Sequence, residues 1–264
     1  IYDRQYTRSV AHVFQEVENP MTTVTVTTAA LAPLALLLAG LTPSGWANRH
    51  PKAMLQVARG ATFVSFGAAA TATVLFFAGG STAAAGTVLG RAGMGVTVYF
   101  DALSAVMALL VSFVGIIVIG YSRNYLDGDP GQGRFVKWLC LTLAAVLTLI
   151  ISGNLLQFTL GWVATSLSLH QLLVFYKDRR AARLAARKKF IASRLGDLSL
   201  IAAMVLLYNL FGSLDFTTMF AAANAVGETE AVPSSVHWVA VLLVVGAMMK
   251  SAQFPFHGWL TEVM

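Results

Sequence analysis

The chain has 264 residues, 57% of them hydrophobic and only 11% charged, with a mean hydropathy of +0.70. A water-soluble domain carries about a quarter charged residues, so this composition excludes a surface clothed in water and makes lipid the solvent. The formal net charge is +6, and a single cysteine, Cys140, excludes a disulfide framework or a cysteine-based zinc site within the chain.

Residues 1–20 are polar, begin without Met and precede Met21; they read as a leader separate from the fold. Spanning helices need roughly 20 mainly apolar residues. That length predicts spans over residues 24–41, 57–78, 100–121, 136–152, 155–175, 195–211 and 236–254. The fourth and fifth are joined by Gly153 and Asn154 alone, which implies a tight antiparallel pair. Residues 79–99 are rich in Gly and Thr and too polar to span, with a short extended segment expected at 96–100. The fold class is therefore an all-α integral membrane bundle, with helices one and two and a Gly-rich outer loop over 21–95 and a second module over 96–264.

Charge in the connections orients these spans. Arg49, Lys52 and Arg59 flank the first connection, and Arg123, Arg134 and Lys137 the third. The fifth holds Lys177, Arg179, Arg180, Arg183, Arg187, Lys188, Lys189 and Arg194. The opposite side carries Arg91, Arg4 and Arg8, and its last loop has Asp215, Glu228 and Glu230 with no base. The bias places the basic connections in the cytoplasm and the N-terminus outside a cell inner membrane. The Ala-rich segment 181–190 is expected to form a short helix along the inner surface, as an orientation signal or as a dock for a cytoplasmic partner. Nucleic acid is not an expected ligand.

Ionisable groups at membrane depth are costly and tend to line ion pathways. Lys250 stands in the otherwise apolar run 236–254, five residues before Pro255, which withholds a backbone donor and should break the helix. Broken helices mark transporter midplanes, although a lysine near a helix end can also snorkel to the surface. On the fifth span Val163, Ser166 and His170 share one helical face; His170 reads equally as a proton relay or as an interhelical hydrogen-bonding group. Arg194 and Asp197 have the i, i+3 spacing of an ion pair, either fixing a helix end or forming the mouth of a proton path. His257, beyond the break, is a further titratable candidate. HExxH, CxxC and GxxxxGK[ST] motifs are absent, so no enzyme and no cofactor or metal site is expected in this chain.

The run from Lys250 to Leu260, KSAQFPFHGWL, resembles the KSAQxPxxxWL signature of antiporter-like membrane subunits of respiratory complex I and of Mrp sodium/proton antiporters. Asp101-Ala-Leu-Ser, Gly153-Asn-Leu-Leu, Gly161-Trp162 and Ser193-Arg-Leu-Gly-Asp197 follow in the order of that superfamily. The resemblance implies an about fourteen-helix fold of two inverted repeats, with Lys250 at the centre of a broken seventh helix. Most members place Glu directly after the Gly-Trp pair; here the residue is Val163. The runs TSLSLHQLLVFYKDR and ARKKFIASRLGD are similar instead to the membrane subunit of the DAB inorganic-carbon accumulation complex. That likeness implies a large cytoplasmic, zinc-containing, carbonic-anhydrase-like partner and a proton or sodium gradient driving CO2 hydration. It makes His170 a candidate substitute for the missing Glu. A respiratory or Mrp-type ion-translocating subunit, and a simple membrane anchor for a soluble partner, are the alternatives.

Overall fold

A computed structural model describes residues 20–90, 95–176, 180–227, 234–254 and 257–263. Among the described residues, ten helices and one hairpin follow in order: α1 Pro20–Gly40, α2 Ser44–Arg49, α3 Pro51–Gly79, β1 Ala83–Leu89, β2 Val96–Asp101, α4 Ala102–Tyr125, α5 Gln132–Ile150, α6 Leu155–Leu173, α7 Arg180–Phe211, α8 Phe216–Gly227, α9 Ser234–Lys250 and α10 Gly258–Val263. Residues 1–19 of the expected 1–20 leader and Pro255 lie outside the described residues, whereas Pro20 opens α1.

All seven expected apolar segments are helical. Among the described residues, however, five helices (α1, α3, α4, α5 and the 182–211 part of α7) are both long and apolar enough to cross a bilayer. The other two fall short for different reasons. Helix α6 has 19 residues but carries Gln157, Thr159, Thr165, Ser166, Ser168 and His170, whereas α9 is apolar but only 17 residues long, about 26 Å.

The packing is that of a protein dissolved in lipid. Large side chains face outward, with Leu38, Val74 and Leu103 62%, 67% and 70% exposed, while Ala29, Ala32, Ala58, Ala69, Ala72 and Ala108 fill the interior. Small residues let helix backbones approach where lipid supplies no hydrophobic drive between helices. Helix α1 packs against α3 and α5, α3 against α4, and α5 against α6, while α7 pairs with α9 and with α6. Some buried hydroxyls are satisfied within their own helices: Thr62 donates to the Ala58 carbonyl at 3.2 Å and Ser112 to that of Ala108 at 2.6 Å.

The Gly/Thr-rich segment forms more than one extended stretch. β1 and β2 pair antiparallel from Ala83↔Asp101 to Leu89↔Val96. Asp101 then caps α4, its carboxylate accepting from the Ser104 amide at 2.8 Å. Asn154, fully buried, ties this hairpin to the α5–α6 turn. Its Oδ1 caps α6 by accepting from the Gln157 amide (2.7 Å), and its Nδ2 donates to the Gly95 carbonyl (2.8 Å) and Thr97 Oγ1 (2.7 Å).

The expected surface helix is corrected. Residues 180–211 form one continuous helix, because the Ala-, Arg- and Lys-rich segment contains no breaker and favours helix throughout. Its first turns consequently pack beside α6. The expected loop after it likewise contains α8.

Candidate functional site

Helices α6, α7 and α9 bring Lys189, Arg194, Asp197 and Lys250 together. The approach of α7 to α9 depends on two glycines. A Cβ on Gly196 would stand 3.2 Å from Met249 Cβ and 3.4 Å from the Gly246 carbonyl oxygen; one on Gly246 would stand 3.4 Å from that of Gly196. One turn along α7, Ser199 Oγ donates to the Leu242 carbonyl at 2.6 Å. This crossing lies immediately beside Asp197 and one turn before Lys250.

Helix α9 ends at Lys250, the Gln253 amide reaching back to the Met248 carbonyl (3.4 Å) while Ala252 adopts φ 51°. Gly is the usual residue at such a left-handed helix end, and an alanine there costs of the order of 1 kcal/mol. A further helix begins at Gly258. Helix α9 thus ends four residues before the expected end of that span, and Pro255, where the sequence predicted the break, lies outside the described residues.

The Lys250 ammonium crosses to α6. It donates to the Trp162 carbonyl at 2.7 Å and to Thr165 Oγ1 at 3.2 Å, and lies 4.5 Å from the centre of the Trp162 ring. The Thr165 hydroxyl spends its own proton on the Gly161 or Trp162 carbonyl, at 3.0 and 2.7 Å, leaving a lone pair for the amine. Neutral acceptors on either side of Val163 thus hold the cation without a carboxylate.

A second half of the cluster adjoins Ser166. Lys189, 5% exposed, donates to the Ser166 carbonyl at 2.7 Å and to its Oγ at 3.2 Å, and Arg194 Nη2 reaches the same Oγ at 3.3 Å. Arg194 Nη2 also lies 2.7 Å from Asp197 Oδ2, an ionic contact; the 4% exposed carboxylate has no aligned hydrogen bond among the described residues. Lys250 is within electrostatic reach of Asp197, Lys189 and Arg194. Arg194 thus touches the Asp197 carboxylate, and Lys189 and Lys250 act on it electrostatically.

Of the residues singled out from sequence, Lys250, Arg194 and Asp197 belong to this constellation. His170 lies at its edge: its ring packs on Phe190 (5.3 Å), its buried Nδ1 has no hydrogen-bond partner among the described residues, and Lys189 and Arg194 act on it electrostatically. His257 does not join; it is exposed and stacks on Phe254 at 5.8 Å. Lys189 and Thr165 were missed. Lys189 was counted among the surface bases, yet Lys189, Ser193 and Asp197 recur every four residues, which places them on one helical face.

Known proteins similar to this chain indicate its family. Residues 152–264 match the family described as "NADH:quinone oxidoreductase/Mrp antiporter, TM", and residues 88–136 match "NADH-Ubiquinone oxidoreductase (complex I), chain 5 N-terminus". The "Probable inorganic carbon transporter subunit DabB2" of Halothiobacillus neapolitanus is 41% identical over 88% of this chain and 42% of its own length. The corresponding DabB of Hydrogenovibrio crunogenus is 35% identical over 65% of this chain and 35% of its own length. The chloroplastic NAD(P)H-quinone oxidoreductase subunit 5 of Chloranthus spicatus is 35% identical over 62% of the chain and 22% of its own length. The chain therefore spans less than half the length of these relatives. Among solved structures, the Mrp complex from Dietzia sp. DQ12-45-1b superposes with a TM-score of 0.72 at 18% identity, over 90% of this chain and 43% of that one. The archaeal membrane-bound sulfane sulfur reductase gives 0.70 at 15%, over 93% and 47%; both likenesses concern the fold. The chain belongs to the Mrp/complex I antiporter superfamily and is closely related to the DabB-type inorganic carbon transporter subunits.

Proposed function

We propose that this chain is part of the membrane subunit of an energy-coupled inorganic carbon accumulation complex. A proton or sodium gradient would be spent through the Lys250 cluster on a large cytoplasmic, zinc-containing, carbonic-anhydrase-like partner. The observation that carries the reading is the seating of the Lys250 amine on Trp162 O and Thr165 Oγ1, beside the end of a short helix. Three cations facing one carboxylate leave an excess of two charges, which release of a proton from each lysine would cancel. Such a cluster suits stepwise proton exchange between Lys250 and Lys189, with Asp197 and Arg194 fixing the balance and His170 as a flanking acceptor. The carbon substrate is supported by the 41% identity to a DabB-type relative and by Val163 in place of the superfamily's usual Glu.

The energetic scale is adequate. One charge falling through 100 mV supplies about 2.3 kcal/mol, enough to bias a hydration equilibrium nearly fiftyfold. In this reading the basic connections face the cytoplasm and the N-terminus faces outward, in a multi-pass inner-membrane protein. A proton- or sodium-translocating subunit of a complex I-like or Mrp-type assembly is the second reading, favoured by the match of residues 152–264 to that family.

The test is growth of carbonic-anhydrase-deficient cells in ordinary air, carrying the full-length subunit and its partner. Wild type is expected to restore growth. Lys250→Ala is expected to abolish rescue while the two subunits still co-purify. Undiminished growth of the variant would remove Lys250 from the mechanism, and failure of wild type to rescue would favour the respiratory or Mrp-type reading.

A further inference from the structure

At the basic end of the bundle, away from the Lys250 cluster, lies a cavity of about 390 Å³ between α3, α4 and the start of α5. It is lined by Lys52, Gln56, Arg59, Arg123, Asn124 and Asp127, with Leu55 and Gln132 also at its wall. Three bases thus face one carboxylate. Among the described residues none of the three bases makes an ion pair, and each is exposed. The turn that closes the pocket is fixed: the buried Gln132 side chain donates to the Arg123 carbonyl at 3.2 Å, and the Gln132 amide to that of Asp129 at 3.1 Å.

Its depth in the membrane follows from helix lengths. In α3 the residues after Arg59, 60–79, carry no charge, and at 1.5 Å per residue they span about 30 Å. In α4 the uncharged run is 102–122, about 32 Å, and ends at Arg123. Each run matches the hydrocarbon thickness of a bilayer, about 30 Å. Arg59 and Arg123 therefore both stand one residue beyond the hydrocarbon edge at the same end of the bundle, in the headgroup layer. Lys52, seven residues further along α3, lies two turns outward.

Below the pocket the surface is apolar. Phe63, one turn from Arg59 on the same face of α3, is 56% exposed, and Tyr121 stacks on Tyr125 at 5.5 Å on the flank of α4. Aromatic pairs of this kind sit at membrane interfaces. We propose that the pocket is a site for the phosphate headgroup of an anionic phospholipid. Arg59, Arg123 and Lys52 neutralise the phosphodiester, the Gln56 and Asn124 amides meet headgroup hydroxyls, and an acyl chain descends along Phe63 and Tyr121. Basic pockets between spanning helices hold such headgroups in other membrane proteins.

The test uses the purified full-length protein, stripped of lipid and offered equal amounts of phosphatidylglycerol and phosphatidylcholine, with retained lipid read by native mass spectrometry. Wild type is expected to retain phosphatidylglycerol selectively. Each base near the surface contributes about fivefold, so Arg59→Gln/Arg123→Gln should lower the preference about thirtyfold. Arg183→Gln/Arg187→Gln, which removes the same charge from exposed positions of α7, should leave it unchanged. Should the double variant not fold, Arg123→Gln alone is expected to lose about fivefold and Arg123→Lys to keep the preference. Equal retention of the two lipids by wild type would overturn the proposal. So would an equal loss in the α7 control, or displacement of the lipid by soluble glycerol phosphate at matched concentration, which would make the pocket a site for free phosphate esters.

Discussion

Among the described residues Asp197 is the sole anion of the cluster, and its removal tests the charge balance directly. Replacing it by Asn keeps size and polarity but leaves Lys189, Arg194 and Lys250 without an opposing charge. The Arg194 contact is 2.7 Å long. Coulomb's law with an effective dielectric of about 20 makes that pair worth roughly 6 kcal/mol before desolvation is counted. Breaking a buried pair by removing one partner costs about 3–5 kcal/mol. A third of the Arg194 side chain remains exposed, so the loss should fall near 3 kcal/mol. Denaturation midpoints of full-length Asp197→Asn and wild type in the same micelle measure it. The background Lys189→Met supplies the control: with one cation fewer, the same Asp197→Asn change should cost at least 1 kcal/mol less, a coupling typical of groups in one network. Asp197→Asn within 1 kcal/mol of wild type, or equal costs in both backgrounds, would refute the idea that this carboxylate balances the lysines.

Gly246→Leu should wedge α7 from α9, since even a Cβ there would touch the Gly196 carbonyl at 3.4 Å; the variant should lose rescue of carbonic-anhydrase-deficient cells while still inserting in the membrane. Asn154→Ala removes a cap and two bridges to the hairpin, and should destabilise the full-length protein by about 2–4 kcal/mol, read as a lowered denaturation midpoint. His170→Leu should slow rescue without changing the amount of assembled complex, because its ring packing on Phe190 survives as an apolar contact; full growth would return it to a packing role.

The helical segments were legible because long uncharged runs have one stable form in lipid, and the superfamily signature ending at Leu260 was legible because it depends on side-chain identity. The hairpin was only half visible. Ala, Gly and Thr over residues 83–89 give little strand signal, and the pairing comes from backbone groups whose chemistry is the same for every residue. Helix α7 was cut short because its Lys and Arg lowered local hydropathy, although nothing in residues 180–194 breaks a helix. That error also hid Lys189, since a base was equated with a surface; its four-residue spacing from Ser193 and Asp197 was the available clue. The seating of Lys250 was illegible for a further reason. Its main acceptor is the Trp162 carbonyl, which no choice of side chain announces, and the absence of Glu at Val163 pointed away from a site that backbone and Thr165 supply instead.

The central claim is that the Lys250 amine takes part in moving a cation. Its two oxygen acceptors are each engaged by Thr165's own hydrogen bond, so Lys250→Met leaves no orphaned group and should preserve the assembled fold. Cation uptake by proteoliposomes of the complete complex, driven by an imposed gradient, is the direct measurement. The account predicts that Lys250→Met lowers uptake at least a hundredfold at equal protein content; uptake at the wild-type rate would contradict it.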